Sequence, residues 1–348
     1  MSTSIQKKIT LATAIILTVD AWNALEESEN NFLEYEAVIL SNLERNLPII
    51  RISRVMRPKT MGFWVDIFPN LSDENPYNNF KCHFRIMRTT FNRLLSSISA
   101  HPIYQFSTQK PQTPIEIQVA IVLQRLANPM SYRQLETTFG IGQGSVTNFT
   151  NRFITAVLDN LRHIINWPRG EELQRVIEGF APPELRSRIP NVIGAIDGSH
   201  IPISQPRIEY HQRYINRKGF YSVVLMAIVD DRERFIYIYS GQPGSMHDAR
   251  VLKQSAFWRE VVNDSNGRFP GNTHILGDSA FPLMPWLLVP FKRRSSQELS
   301  RVQRQYNRIH SSARIAVERA FGKLKGRWRI LRNNMEVTDL KNVVDIID

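Results

Sequence analysis

Cysteine is nearly absent: Cys82 is the only one in 348 residues. A lone thiol excludes an intramolecular disulfide and any zinc site built on a cysteine cluster, and it favours a reducing intracellular compartment. Long hydrophobic runs are lacking too. The one membrane-like stretch, 9–19 (ITLATAIILTV), falls short of the roughly 20 apolar residues that span a bilayer. Lys7 and Lys8 before it mimic a signal peptide, but no small-x-small cleavage site follows, so a buried N-terminal helix is expected and no membrane partner. The third scarcity is local. Between Phe291 and Asn334 only Glu298 and Glu318 are acidic, against thirteen Lys and Arg, so this segment holds +11 of the chain's formal charge of +12. Such a run asks for a polyanion, with nucleic acid foremost; a solvated basic face is the alternative reading. The remainder is ordinary globular composition, 42 % hydrophobic and 22 % charged, which excludes wholesale disorder.

Along the chain, 1–79 carries little pattern beyond an amphipathic option at 31–47 and a Pro- and Asn-rich loop at 69–79. From Phe80 to Ile98, Phe84, Met87, Phe91, Leu94, Leu95 and Ile98 fall at helical spacing and predict one core-facing helix. A Pro-rich link, 102–114, leads to a helix over Pro114 to Ala127. Ser131 then opens a short helix that Gly140 closes, and Gly144-Ser145 opens another. This spacing fits a helix-turn-helix, with Ser145, Thr147, Asn148 and Asn151 as candidate DNA contacts, though a plain packed helix pair has the same pattern. The charged, Pro-interrupted stretch 168–190 reads as a connector. Three regions are therefore expected: 1–79, a helical domain over 80–170 and a third over 190–348.

Residues 191–204 (NVIGAIDGSHIPIS) place apolar side chains at odd and even positions alike, as in a strand buried on both faces. A carboxylate in its middle, Asp197, is costly without a cation or a hydrogen-bond shell, unless Asp197-Gly198 is simply a turn. YSVVLMAIV at 221–229 and FIYIY at 235–239 form a hairpin across four polar residues. Ser245 and Asp248 have the spacing of a capping box, which gives both a supporting, structural role. A short strand over 273–276 ends in Gly277-Asp278, another spans 286–289, and a long helix is expected from about Ser311 to Trp328.

The order strand, strand, strand, helix, strand, strand, helix predicts an α/β ribonuclease H-like mixed sheet with flanking helices, preceded by the all-α helix-turn-helix domain. In that topology the central first strand, the end of the fourth strand and the last helix meet at one edge. Here those places hold Asp197, Asp278 and Glu318, although Glu318 also has the spacing of a helix salt bridge with Arg314. Three carboxylates without Cys or paired His suit a hard divalent metal, Mg²⁺ or Mn²⁺, and two such ions suit in-line phosphoryl displacement. Lys323, Lys325 and Arg327 follow Glu318 on the helix and, with Arg217 and Lys218, are candidate DNA contacts.

GAIDGSHIPI, YINRKGFYSVVLMAIVD, PGSMHDARVL, LGDSAFPLMPWLLVPF and NRIHSSARIAVERAFGKLKGRW together resemble the Harbinger (PIF/Harbinger) transposases and the nucleases derived from them, in the DDE superfamily. The resemblance covers about 191–328, with FRIMRTTFNRLL and the helix pair also similar. It implies that Asp197, Asp278 and Glu318 are a metal-binding DDE triad in a nuclear enzyme that cuts or joins double-stranded DNA. A Myb-like DNA-binding partner protein is implied as well, and a homo-oligomer is left open. Such chains usually continue through another helix ending near a Leu-His-Asn stretch. This sequence stops at Asp348, which suggests a fragment or a decayed, DNA-binding copy.

Overall fold

The computed structural model describes residues 62–74, 79–105, 112–128, 130–181, 189–293 and 298–333. The stretch 9–19 and the amphipathic option at 31–47 lie outside them, as does part of each Pro-rich loop. All described residues belong to one compact unit, Pro58–Asp348.

Aromatic packing starts the helical layer. Trp64 and Phe68 pack with Phe80, Phe84, Phe91 and Phe139, and the Trp64 indole N–H donates to the Phe139 carbonyl at 3.3 Å. The expected helix over 80–98 is two: α1, Phe80–Phe84, and α2, Arg88–Ile98. Arg85 breaks it, adopting φ 60, a left-handed cap that turns the chain so that Ile86 is buried between the two. Helix α3, Ile115–Ala127, buries Val119 through Leu123 without a polar face, as the central helix of a bundle must. Helix α4, Tyr132–Phe139, opens on a complete capping box between Ser131 and Gln134 and closes on Gly140 at φ 64. Helix α5, Gln143–Leu161, follows. The three are locked by the buried Arg125, which donates to Thr150 Oγ1 and to the Tyr132 hydroxyl, each at 2.7 Å.

The segment expected to be a connector contains α6, Gly170–Phe180. Leu173, Val176, Ile177 and Phe180 form its apolar stripe on the sheet, hidden in sequence among charges that stay at the surface.

Strands β1 (Val192–Pro202), β2 (Ser222–Val229) and β3 (Phe235–Pro243) form an antiparallel set. Helices α7 (Asp248–Gln254) and α8 (Ala256–Asn263) then carry the chain to β4 (His274–Leu276) and β5 (Leu287–Leu288), which run parallel to β1. The spatial order is β3-β2-β1-β4-β5, the ribonuclease H-like mixed sheet. Both faces are covered. Val224, Met226 and Ile228 meet α6, α7 and α8 on one side, while Val223, Leu225, Ala227 and Val229 lie on the other. On that second side runs α9, Arg301–Arg327, which seats Val317, Ala320 and Phe321 on the sheet. It begins ten residues before the expected start, at a capping box of Ser300 and Gln303. Trp328, just past its end, packs against the helical core and the sheet core at once.

Candidate functional site

The strand register assembles the site. Ala195 pairs with Leu276, so two residues further along each parallel strand Asp197 stands level with Asp278, just beyond β4. Asp197 lies in the half-buried middle of β1. Its Oδ1 accepts the Gly198 N–H at 2.8 Å and its Oδ2 faces Arg314 Nη2 at 3.3 Å. Burial pushes its pKa up to about 6 against the pull of Arg314, and the neighbouring carboxylates of Asp278 and Asp248 add to the rise. Asp278 accepts the Ala280 N–H at 2.9 Å, which fixes its carboxylate in the turn after β4.

Asp248 corrects one expectation. The N-cap of α7 is His247, and no side-chain cap bond exists there, so Ser245 and Asp248 form no capping box. Ser245 is exposed and donates its backbone N–H to the Arg213 carbonyl at 3.2 Å. The intervening Pro243 to Met246 turn shifts the helix start by two residues, which leaves Asp248 as the first helical residue. Its side chain lies over β1, where an added Cβ on Gly198 would come within 2.5 Å of Asp248 Oδ1. Burial raises its pKa, Asp278 raises it further, and Arg217 opposes. Three aspartates from β1, α7 and the end of β4 thus share one electrostatic neighbourhood. The residues around Asp248 fit a cap in sequence, and only tertiary packing on Gly198 separates the two roles.

Glu318 does not join that neighbourhood: it is exposed, and among the described residues it makes no ion pair. One turn earlier on the same helix, about 40° away at 100° per residue, Arg314 occupies the flank facing Asp197. Arg314 is largely buried, with its Nε unpartnered among the described residues. His310, another turn back, is buried with its ring against the Leu288 carbonyl at 3.1 Å, and burial lowers its pKa.

Arg217 and Lys218 are exposed on a loop that the buried Asn216 shapes. Its Oδ1 accepts the Lys218 N–H at 2.9 Å, and its Nδ2 donates to Ser222 Oγ, which also meets His200 Nδ1 at 3.1 Å. The three basic residues after Glu318 divide. Lys323 pairs with Glu233 at 2.5 Å, Lys325 is half-buried and donates to the His200 carbonyl at 2.8 Å, and Arg327 is exposed. Burial lowers the Lys325 pKa to about 8, with Arg332 and Lys218 adding repulsion. On α5, Thr147, Asn148 and Asn151 are exposed and Ser145 is half-buried.

As a donor set the aspartates fit a hard divalent cation: they supply only carboxylate oxygens, and their mutual repulsion favours any bound positive charge. Among the described residues no three Asp, Glu, His or Cys converge tightly enough to share one ion, and in this arrangement Arg314 supplies the positive charge beside Asp197.

A ribonuclease H-like sheet with aspartates on its central strand and at the adjoining strand end defines an α/β protein of the DDE nuclease class. Residues 196–348 match the family model described as DDE superfamily endonuclease. The chain belongs to that superfamily's Harbinger-derived nucleases. It is 33 % identical over 282 residues to "Protein ALP1-like" of Arabidopsis thaliana, covering 77 % of this chain and 68 % of the relative. It is 27 % identical over 239 residues to "Putative nuclease HARBI1" of Rattus norvegicus, covering 68 % and 64 %. To a "Probable transposase for insertion sequence element IS702" of Microchaete diplosiphon it is 20 % identical over 251 residues, covering 71 % and 83 %. No solved structure matches the chain.

Proposed function

We propose that this chain is a divalent-metal-dependent endonuclease acting on double-stranded DNA in the nucleus, with the carboxylates of Asp197, Asp278 and Asp248, rather than the exposed Glu318, as the groups that would close on Mg²⁺ or Mn²⁺. The observation that carries this reading is the placement of Asp197 on β1 level with Asp278 beyond β4, with Asp248 of α7 over Gly198, beside a chain segment with a charge of +11. A divalent ion held by these carboxylates would supply Lewis acidity for a water nucleophile and for the leaving oxygen. Asp197 and Asp278, fixed by the Gly198 and Ala280 N–H groups, orient the oxygens that hold it. Arg217 and Lys218 neutralise the DNA phosphate next to the acids, as exposed cations on a loop braced by Asn216. Thr147, Asn148, Asn151 and Ser145 on α5 act as a helix-turn-helix that reads sequence, and a Myb-like protein or a second copy of this chain extends the DNA contact.

One observation favours a second reading, a domesticated DNA-binding protein that no longer cuts. Arg314 neutralises Asp197 while Glu318 stays outside the acid group. Nicking of supercoiled duplex DNA separates the two. The enzyme reading expects cleavage that requires Mg²⁺ or Mn²⁺, with loss of at least a hundredfold in Asp197→Asn and in Asp248→Asn, while both variants still bind DNA. A wild-type chain that binds duplex DNA and never nicks it would establish the second reading.

A further inference from the structure

Loop 204–214, between β1 and the loop of Arg217, carries side chains the cleavage site does not use. Tyr210 is 57 % exposed and Ile208 45 % exposed, and the Arg213 guanidinium lies 4.9 Å from the Tyr210 ring centroid. An exposed tyrosine held by a cation on one face keeps its ring oriented and leaves apolar surface for another flat partner. The loop is also anchored. His211 Nδ1 meets the Tyr221 hydroxyl at 2.9 Å, and the Arg213 carbonyl accepts the Ser245 N–H at 3.2 Å, three residues before Asp248. Gly244, next to that bond, permits the approach: a Cβ there would sit 2.9 Å from the Tyr214 carbonyl oxygen. The same turn therefore positions both Asp248 and the Tyr210–Arg213 pair. Arg207, Arg217 and Lys218 lie exposed on this loop and the one following, with Glu209 the one acid among them.

We infer that Tyr210 and Arg213 form a stacking platform for an unpaired DNA base next to the cleaved bond. The inference rests on the nuclease reading and adds to it a preference for locally opened DNA. The chemistry favours a base over a peptide or lipid partner. Every base offers a π-face to the aromatic ring, and the surrounding cations meet its backbone, the combination that proteins use for unpaired strands.

The test is equilibrium binding, by fluorescence anisotropy in EDTA so that nothing is cut, to two duplexes of one sequence, one fully paired and one with a single unpaired adenine. The full chain should prefer the second. Tyr210→Ala should weaken binding to it roughly ten- to a hundredfold, the usual loss for one stacked base, with binding to the paired duplex unchanged. Tyr210→Phe should retain the preference, and Arg213→Ala should lower it in part. Equal binding of the two duplexes by the wild-type chain, or an equal loss on both in Tyr210→Ala, overturns the inference while leaving the nuclease reading intact. A wild-type chain that binds neither duplex overturns both.

Discussion

Asp197 is a residue whose protonation its surroundings control. Burial and two neighbouring aspartates raise its pKa from 3.8 to about 6. The folded chain therefore holds a proton that the unfolded chain has already released between about pH 4 and 6. The stability this group contributes is complete below the ordinary carboxylate range and is lost as pH rises through about 6. In EDTA, the melting temperature of the wild type relative to Asp197→Asn should fall between pH 4 and pH 7. Mg²⁺ should then raise the wild-type value more at pH 7.5 than at pH 5, because at the lower pH it competes with the proton. A pH-independent difference between the two proteins would mean that Arg314 already neutralises Asp197 completely. The place of Asp197 on the central strand was legible in sequence because a carboxylate inside a doubly buried strand has few structural explanations. Asp248 was not, because its spacing from Ser245 satisfies a local rule, and what overrides it is the missing side chain at Gly198, fifty residues away.

Helix α9 presents three chemically different flanks. Val317, Ala320 and Phe321 face the sheet, Arg314 and Lys325 reach the flank of β1 at Asp197 and the His200 carbonyl, and Arg301, Arg304, Arg308 and Arg319 are exposed. Arg301, Arg304 and Arg308 recur at about one-turn spacing, with Arg319 about three turns further on, and form a cationic row open to phosphates. Replacing Arg301, Arg304 and Arg308 together by Ala should flatten the dependence of log K on log salt by roughly two to three units on duplex DNA, and leave stability unchanged. Lys323, Lys325 and Arg327 replaced together should remove about one unit, since two of the three are engaged within the protein. Lys325→Ala alone should cost about 1 kcal/mol of stability in urea unfolding, through the lost bond to His200. A larger flattening in the Lys323, Lys325 and Arg327 variant than in the Arg301, Arg304 and Arg308 variant would place the DNA along the C-terminal half of the helix. The helix itself was readable from its apolar stripe, yet its first ten residues were obscured by a polar, arginine-rich sequence with few apolar positions.

At the scale of the whole molecule, strand order was the most legible feature, because the doubly apolar strands and the polar turns between them admit few topologies. Helix α6 was the least legible, its stripe of Leu173, Val176, Ile177 and Phe180 broken up by charge. The helical layer gives its own test. Asn148→Ala with Asn151→Ala should relax sequence preference in DNA binding and leave the salt slope within about half a unit, since neither residue is charged. Identical selectivity before and after the change would leave α4 and α5 as a packing pair.

Trp328 ties this layer to the rest in an order that matters during synthesis. It closes the flank of a core made otherwise of residues 63–161, yet it is separated from them in sequence by the whole sheet. A nascent chain leaves the ribosome N-terminus first, so the helical layer emerges with one apolar flank open and stays so until the last turn of α9 has followed it out. During that interval the open apolar flank is a surface through which unfinished chains associate. The helical layer thus acquires its finished flank only when the strands and helix that bring the acidic residues together are also complete.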